Sequence, residues 1–464
     1  MAGLFDGLEM GKRALSTHQL WLNTIGHNIS NVNTPGYTRQ RVAISTTPPL
    51  EMPIGQVGTG VKADEIRSIR DLFLNQQYRQ ENKTLGQWTA MEKTLSQVEA
   101  LFSEPNSDPL GDLLDKFWAS WSDLANNPES VAARTALKEQ TNLLTSGLHR
   151  IYNHLTDLRQ SVDNDAALLV QKVNDLSSEL ASLNQQIARS ELGGQNANDL
   201  RDRRDYLIDQ LSEYVDVNVV EQKNNTVTVM VGALTIVDGT SSFMLSTQKK
   251  GAGLIASSEI VWAGTTKPIK NLNGQLKGLV DTRDNVIPKY LEYLDNIAES
   301  LITGVNALHQ TGYGLDGSTG LNFFDPLNTS AASIQLNAMI DLDINRIAAS
   351  KDGEVGDNVN ALAIADLKNS PQMMRGTASI NEFYNSMIGE LGVETGKAKN
   401  LKTNYELLTE QVENARQSVQ GVSLDEEMAQ MIKYQHAFDA AARVITTMDQ
   451  ALETVIQGMG VVGR

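Results

Sequence analysis

The chain has 464 residues, of which 41% are apolar, so it is long enough for two to four domains and apolar enough to bury hydrophobic cores. Its 39 basic and 56 acidic residues give a formal net charge of −17, which argues against a nucleic-acid or anionic membrane partner. The chain contains no cysteine, which excludes disulfides, thiolate metal sites and cysteine nucleophiles.

The N-terminal segment predicts an amphipathic helix with an apolar seam. From Leu4 to Val32 the seam positions alternate spacings of four and three residues, which is the spacing of a coiled coil. Asp6 and Lys12 interrupt the apolar residues, so the segment does not match a signal peptide. No stretch approaches the roughly 18 apolar residues of a membrane span, and we predict no membrane insertion. The residues predicted to contact other subunits are Leu4, Leu8, Leu15, Leu22, Ile25 and Ile29.

The C-terminal segment predicts a second seam, which begins after Gly421. Two such helices are marginal by themselves, since a buried Leu or Ile contributes about 1.5–3 kcal/mol while ordering one residue costs about 1–2 kcal/mol. Each seam can pack on its own domain, but their position at the two chain ends favours a terminal pair completed by subunit packing. The predicted interface residues here are Leu424, Met428, Met431, Phe438, Ile445, Leu452 and Ile456.

Between the two seams the hydrophobic period changes. Pro and Gly residues predict an extended linker over 46–60, and helical spacing continues from Asp64 to Tyr214. From Val215 β-branched and polar residues alternate, which is typical of strands, with a turn at Asn224 and Asn225. The remaining predicted elements are a helix over 274–311, two strands within 334–350 and mainly helix over 357–464.

These elements predict a fold that is mainly α with a smaller β-rich part. It consists of a terminal helical coiled-coil pair, a long helical rod domain and a small β-rich outer domain. The predicted boundaries are 1–45 with 421–464 for the terminal pair, 60–215 with 274–324 and 356–420 for the rod, and 216–273 with 325–355 for the β-rich domain.

Motifs that could carry catalysis or bind a metal lack the required context. The glycines from Gly312 to Gly317 match G-x-G-x-x-G, but they follow a helix instead of a strand. Asp341 and Asp343 begin like a calcium loop, but Arg346 stands where the turn-forming glycine belongs. We therefore predict no catalytic site, no metal and no cofactor.

A dense run of mixed charge extends from Asp199 to Asp205. The simplest interpretation is a solvated helix face with local ion pairs. The alternative is that Arg203 and Arg204 meet carboxylates of an adjacent subunit.

The most informative stretch is HNISNVNTPGYTRQ, from His27 to Gln40, where an Asn-rich segment and a Pro-Gly turn end the first helix. The sequence of this stretch closely resembles the N-terminal signature of the flagellar rod, hook and hook-associated protein family. The matching residues are Asn28, Ile29, Asn31, Asn33, Thr34, Pro35, Gly36 and Tyr37.

Other segments resemble the members of this family that join the hook to the filament. They include Asn198–Asp205, Gly278–Asp284 and Val305–Tyr313. The chain departs from that pattern after Phe324. Longer members carry a larger β-rich insertion at this place, whereas this chain has only residues 325–355. The outermost domain is therefore expected to be reduced or missing.

The resemblance implies a structural subunit, not an enzyme, that forms a ring with copies of itself and joins hook to filament. It implies the hook protein, a second junction protein and a type III export chaperone as partners. It also implies an extracellular location in the bacterial flagellum, reached without a cleaved signal peptide.

Three alternatives remain open at this stage. Another axial subunit, such as a distal rod or hook protein, would have a β-dominated middle in place of the long helices predicted over 80–214. A flagellar wall-degrading enzyme would need paired carboxylates or a metal in a cleft. A coiled-coil scaffold unrelated to flagella would keep stably helical ends without assembly.

Overall fold

The computed structural model describes residues 4–53, 55–103, 109–232, 234–250, 257–269, 272–373 and 376–459. The helices of these ranges are α1 (Leu4–Ser30), α2 (Leu72–Phe102), α3 (Leu110–Asn126), α4 (Val131–Ser190), α5 (Asn198–Tyr214), α6 (Gly274–Asp281), α7 (Ile287–His309), α8 (Ala338–Leu342), α9 (Val359–Ala365), α10 (Ile380–Gln420) and α11 (Leu424–Met459). The strands are β1 (Gln40–Thr46), β2 (Leu50–Met52), β3 (Gly55–Val57), β4 (Val61–Ser68), β5 (Val217–Glu221), β6 (Val227–Val231), β7 (Leu234–Asp238), β8 (Ser241–Ser242), β9 (Leu245–Lys250) and β10 (Ser257–Trp262). The predicted fold class, mainly α with a smaller β-rich part, is confirmed.

Long helices packed side by side form the rod. α10 runs along α2, α3 packs on α4, and α6 lies between α2 and α4. Local capping starts these helices where the sequence offers a short polar side chain: the Asp71 carboxylate accepts from the first turn of α2, and Ser379 forms a capping box with Glu382 at the start of α10.

Aromatic residues fill the core at one end of the rod. Phe117 and Trp121 of α3 are fully buried against Phe323 and Phe324, which lie just beyond α7. His309, at the end of α7, is buried beside them with its ring 5.5 Å from that of Phe323. Large buried side chains of this kind dominate the packing energy of a core.

The strands β5 to β8 form an antiparallel sheet in sequential order, with the predicted turn at Asn225 in the left-handed region (φ 63°). The sheet rests on α4 through polar contacts that satisfy strand backbone groups. Asn184 of α4 donates to the Val227 carbonyl at 2.9 Å. The separate antiparallel pair of β9 and β10 also binds α4, since Asp163 accepts from the backbone and hydroxyl of Ser258 on β10. Arg283 reaches the same carboxylate at 2.7 Å from a π-helical turn between α6 and α7.

The prediction of strands within 334–350 is wrong. The structure has the short helix α8 and a 3-10 turn there, and the alternating apolar residues Ile334, Ile340 and Ile347 are buried in the core of the rod. Side chains of α4 satisfy the backbone in place of a neighbouring strand: Arg134 donates to the Ile347 carbonyl at 2.6 Å and His149 to that of Ile334 at 2.9 Å.

The same contacts correct the grouping of 325–355 with 216–273. Residues of 325–355 bind near Arg134 and His149, whereas the sheet binds α4 near Asn184. At about 1.5 Å per residue, Asn184 lies roughly 50 Å from His149 and roughly 75 Å from Arg134 along the helix, and Asp163, which binds β10, lies roughly 20 Å from His149. The later segment therefore packs with the rod and does not join the sheet.

The prediction of an extended linker over 46–60, with helix resuming at Asp64, is also wrong. β1 pairs with β4 and β2 pairs with β3, so this part of the chain is a β-hairpin, and helix resumes at Leu72. The Pro and Gly residues set turns between paired strands: Gly55 and Gly60 adopt φ values of 120° and 106°, which other residues rarely reach.

Candidate assembly site

The two ends of the chain pack on each other as antiparallel helices, α1 against α11. The ring of Trp21 stacks on that of Tyr434 with centroids 4.4 Å apart and an interplanar angle of 11°. Glycine allows close approach further along, because a Cβ at Gly11 would lie 2.7 Å from Cγ1 of Ile445. We call α1 and α11 together the terminal pair.

α1 packs against α11 and against β1 and β4 of the hairpin, and its predicted interface residues are at least partly buried where their side chains are described. Ile25 is buried, whereas Leu8, Leu15, Leu22 and Ile29 are half-buried. The side chain of Leu4 lies outside the described part of the chain.

On α11, the predicted interface residues separate into two groups. Met431, Phe438, Ile445 and Leu452 are half-buried on the face toward α1. Three others are exposed in the single chain: Leu424 at 46%, Met428 at 57% and Ile456 at 69%. The helix thus has one apolar face that meets α1 and further apolar side chains that stay largely exposed in the single chain.

Below the terminal pair, the family-motif residues build a hydrogen-bonded joint, which we call the neck: residues 27–40, 68–75, 198–209 and 420–427. Its centre is Asn28, which is 1% exposed. Its amide donates to the Gln40 carbonyl and to Glu427, both at 3.0 Å. Its oxygen accepts from the backbone of Gln40 at 3.0 Å and from the Tyr37 hydroxyl at 2.8 Å.

The other motif residues shape the loop that leaves Asn28. Asn31 donates to the His27 carbonyl at 3.0 Å and accepts from Thr34 at 3.1 Å. Gly36 is left-handed (φ 76°), and a Cβ there would lie 2.6 Å from Cβ of Tyr206, so the position requires glycine on two grounds. Asn33 and Pro35 are exposed.

The loop binds the rod through Asp202 of α5. This carboxylate accepts from the backbone of Thr38 at 3.0 Å and its hydroxyl at 2.6 Å, and it pairs with Arg70 at 2.6 Å. Burial raises the pKa of Asp202, while Arg70 and Thr38 act in the opposite direction.

The favoured interpretation of 199–205 as a solvated face is therefore wrong for Asp202 and Arg204, which are 4% and 3% exposed. Arg204 donates to the Asn225 carbonyl at 2.9 Å within the same chain. Arg203 is exposed and pairs with Glu179 of α4.

Three further neck residues were not predicted. Gln420, at the end of α10, accepts from the backbone of Arg39 at 2.8 Å and donates to Asn75 at 3.1 Å. Arg39 also pairs with Glu426 in the first turn of α11. Acidic side chains are preferred at a helix N-terminus, so the sequence could have indicated Glu426 as a residue of the first turn of α11. It could not have indicated Arg39 as the partner, because the two residues are 387 positions apart.

A search of the residues given above as described found no group of three or more His, Cys, Asp or Glu that could hold a metal ion. Within the same ranges, no helix is long and apolar enough to cross a membrane.

A helical pair made from both chain ends, joined to a helical rod by a loop that carries the family motif, defines a flagellar axial structural protein. The family model described as flagella basal body rod protein matches residues 8–38, and that described as flagellar basal body rod FlgEFG protein C-terminal matches 416–458. The model of the flagellar hook-associated protein FlgK helical domain matches 95–324, which covers most of the rod and the sheet.

The chain is 34% identical to flagellar hook-associated protein 1 of Bacillus subtilis strain 168 over 507 aligned positions, covering all of both chains. It is 25% identical to the protein of the same name from Salmonella typhimurium, over 95% of this chain and 98% of that one. The solved flagellar hook junction protein FlgK of Burkholderia pseudomallei shares the fold with a TM-score of 0.65 at 16% identity, covering 75% of this chain and all of that chain. The chain belongs to the flagellar hook-associated protein 1 family, which is a family of flagellar structural proteins and not of enzymes.

Proposed function

We propose that this chain is an adaptor of the hook-filament junction, where copies of it form a ring that joins hook to filament. The family membership supports a structural role in the flagellum. In this proposal the neighbours are the hook protein, a second junction protein and, before export, a type III export chaperone. The subunit acts outside the cell, reaches its place without a cleaved signal peptide, and catalyses no reaction.

The observation that carries the proposal is the uncovered apolar surface of α11. Leu424, Met428 and Ile432 follow one another at intervals of four residues and are 46%, 57% and 55% exposed. Residues at this spacing lie on the same side of a helix, so they form one stripe. Burying a side chain of this size contributes about 1.5–3 kcal/mol, which neighbouring helices of an assembly would supply.

A second apolar position extends the face that already meets α1. Ile456 lies about two turns beyond Met448, the residue whose side chain comes closest to Gly7. At 69% exposure it is available to a helix from another subunit. We propose that the predicted interface residues of both helices act together, the half-buried ones within the pair and the exposed ones between subunits.

The rod favours the junction over a distal rod or hook position. The match to the FlgK helical domain covers 95–324, and α4 alone spans 60 residues. In this division of roles the terminal pair, from 1–45 and 421–464, makes the tube, while the rod stands outside it and presents the sheet.

The test supplies this chain to bacteria that lack their own junction protein and counts filaments by electron microscopy. We expect filaments to attach, and antibody against the chain to label a narrow zone between hook and filament. Label spread along the hook or the rod, with filaments still absent, would reject the junction position.

A further inference from the structure

A cavity of about 420 Å³ lies beside the motif loop, between that loop and helices α2, α5 and α10. Gly36 and the rings of Tyr78 and Tyr206 form part of its wall. An engineered cavity of about 150 Å³ already accommodates a benzene-sized group, so this space is large enough for a long side chain.

One carboxylate at the cavity lacks a partner. Asp209 pairs with Arg79 at 2.6 Å and with Arg416 at 2.8 Å. Glu413 also pairs with Arg416, at 3.5 Å, and accepts a hydrogen bond from Gln417 at 2.6 Å. Glu213 also faces the cavity, but no cation or hydrogen-bond donor within the described ranges reaches its carboxylate.

Glu213 is half-buried, and burial raises its pKa. A carboxylate in such a place is costly unless a positive group pairs with it. Arg79 is shared between Asp209 and Asp205, and Arg416 is shared between Asp209 and Glu413. Neither guanidinium is left for Glu213, so an added positive group would supply its missing partner.

Guanidinium groups of the same chain already lie over the aromatic walls, Arg416 at 4.7 Å from the Tyr78 ring centroid and Arg203 at 5.8 Å from that of Tyr206. The attraction of a further cation therefore comes from the charge of Glu213.

The hairpin carries unpaired positive charge that would complement the unpaired carboxylate of Glu213. Arg41 of β1 lies directly opposite Arg67 of β4 in the antiparallel register, and both are exposed. No ion pair or hydrogen bond of either guanidinium is present in the described part of the chain, and the nearby Glu65 binds Asn196 instead. Like charges directly opposite each other in a strand pair are destabilising, so an external carboxylate would relieve the arrangement.

We infer that the Arg41–Arg67 pair of one copy docks at the Glu213 cavity of a second copy. The inference rests on the proposed assembly of copies into a ring. Such an assembly is head-to-tail and therefore needs two different, complementary surfaces on each subunit. The hairpin and the cavity are two such surfaces, and both lie next to the neck. The hairpin has unpaired positive charge and the cavity has an unpaired carboxylate.

Charge reversal in the full chain tests the contact. We expect Glu213→Lys to reduce filament-bearing cells about tenfold, and Arg41→Glu with Arg67→Glu to do the same. The variant with Arg41→Glu and Arg67→Glu still has two like charges opposite each other. Its hairpin therefore has the same kind of cross-strand repulsion as the parent chain, and only the sign of the charge differs. Combining the three substitutions restores the salt bridge in reverse and should recover most filaments. Full growth with Glu213→Lys, or no recovery in the combination, overturns the inference.

Cross-linking gives an independent readout, because the chain has no cysteine of its own. Copies carrying Glu213→Cys are co-expressed with copies carrying Arg67→Cys, so a link between these two positions can form only between subunits. A direct disulfide needs Cα atoms within about 7 Å, which is shorter than the reach of an Arg–Glu pair, so a thiol-reactive bismaleimide with a span of about 10 Å is used. We expect a covalent dimer in isolated flagella after this treatment, and none when Arg189→Cys, on the exposed end of α4, replaces Arg67→Cys. Absence of the dimer overturns the inference. If the unaltered chain itself attaches no filaments, the proposed function fails, which is a different outcome.

Discussion

The rod and the terminal pair are both helical, but they differ in how much of their surface the single chain covers. In α3, nine residues of 17 are buried, including Phe117, Trp118 and Trp121. In α11, only Glu427 and Ala441 are buried among the residues whose side chains the structure describes. One region completes its core within the subunit, and the other leaves apolar surface for its neighbours.

In the assembly proposed above, fold stability and assembly therefore reside in separate parts of one chain. Between them the neck is polar, with Asn28 and Asp202 each bound by several hydrogen bonds. These buried polar groups would be left without hydrogen-bond partners if the neck opened or shifted. The neck therefore fixes the orientation of the terminal pair relative to the rod more than it adds hydrophobic stability.

The largest expected effect is the loss of assembly when residues 424–464 are deleted. Filament attachment should stop completely, while the rod keeps its cooperative thermal transition because its core lies outside the deleted segment. Circular dichroism melting and filament counts measure the two outcomes. A truncated chain without a cooperative transition would show that α11 belongs to the main core.

Two aspartate substitutions on α11 separate its two faces. Ile445→Asp, beside Gly11, should abolish filament attachment and also weaken the packing of α1 on α11, since a charge would enter the contact. Met428→Asp should reduce attachment while leaving the melting curve of the single chain unchanged, because Met428 is already exposed.

Thr447→Asp is the matched control, since Thr447 is exposed on the far side of the same helix. It should alter neither measurement. Normal attachment with Met428→Asp would remove the exposed stripe from the interface.

Within the rod, Trp121→Ala should lower the free energy of unfolding by about 3–5 kcal/mol, because a fully buried aromatic side chain leaves a cavity. Val393→Ala, at a position 72% exposed on α10, should change it by less than about 0.5 kcal/mol. Chemical denaturation of the purified chain gives both values. Equal effects of the two substitutions would contradict the packing described for the rod.

The effect with the narrowest range of conditions is a pH dependence that comes from His309. Its ring donates to the Leu321 carbonyl at 2.7 Å and accepts from the Ala348 backbone at 2.9 Å, and burial lowers its pKa from 6.5 to about 4. The unfolded chain therefore binds the proton first as pH falls. Stability from this group is complete above pH 6.5 and is lost between pH 6.5 and 4, amounting to about 3 kcal/mol.

His309→Gln should flatten the melting temperature between those pH values relative to the parent chain. His436→Gln, on the exposed surface of α11, should retain the parent slope. An unchanged slope in His309→Gln would assign the pH dependence to other groups.

The sequence predicted the helical elements, the strand region from Val215 and the motif loop, because each depends on local periodicity and turn chemistry. It could not assign the apolar residues of α11 to faces. Leu424 and Met428 were combined with Ile445 in one seam, although the structure separates them, because a helix with two apolar faces gives overlapping spacings.

Polar contacts between residues far apart in the sequence could not be predicted from local sequence patterns either. The carboxylate of Asp202 is buried because Thr38 and Arg70, 164 and 132 positions away, supply its partners. The alternating residues around Ile340 suggested strands, but the side chains of Arg134 and His149 replace a neighbouring strand as hydrogen-bond donors.

The bond from Asn28 to Glu427 joins residues 399 positions apart and ties the first helix to the last. Because a chain is synthesised from its N-terminus, Asn28 is present long before Glu427. Until then the Asn28 amide has only the hairpin to bind, and the joint stays open. Closure of the neck therefore requires the chain as far as residue 427, and a chain broken off before that residue lacks this bond however well its rod has folded.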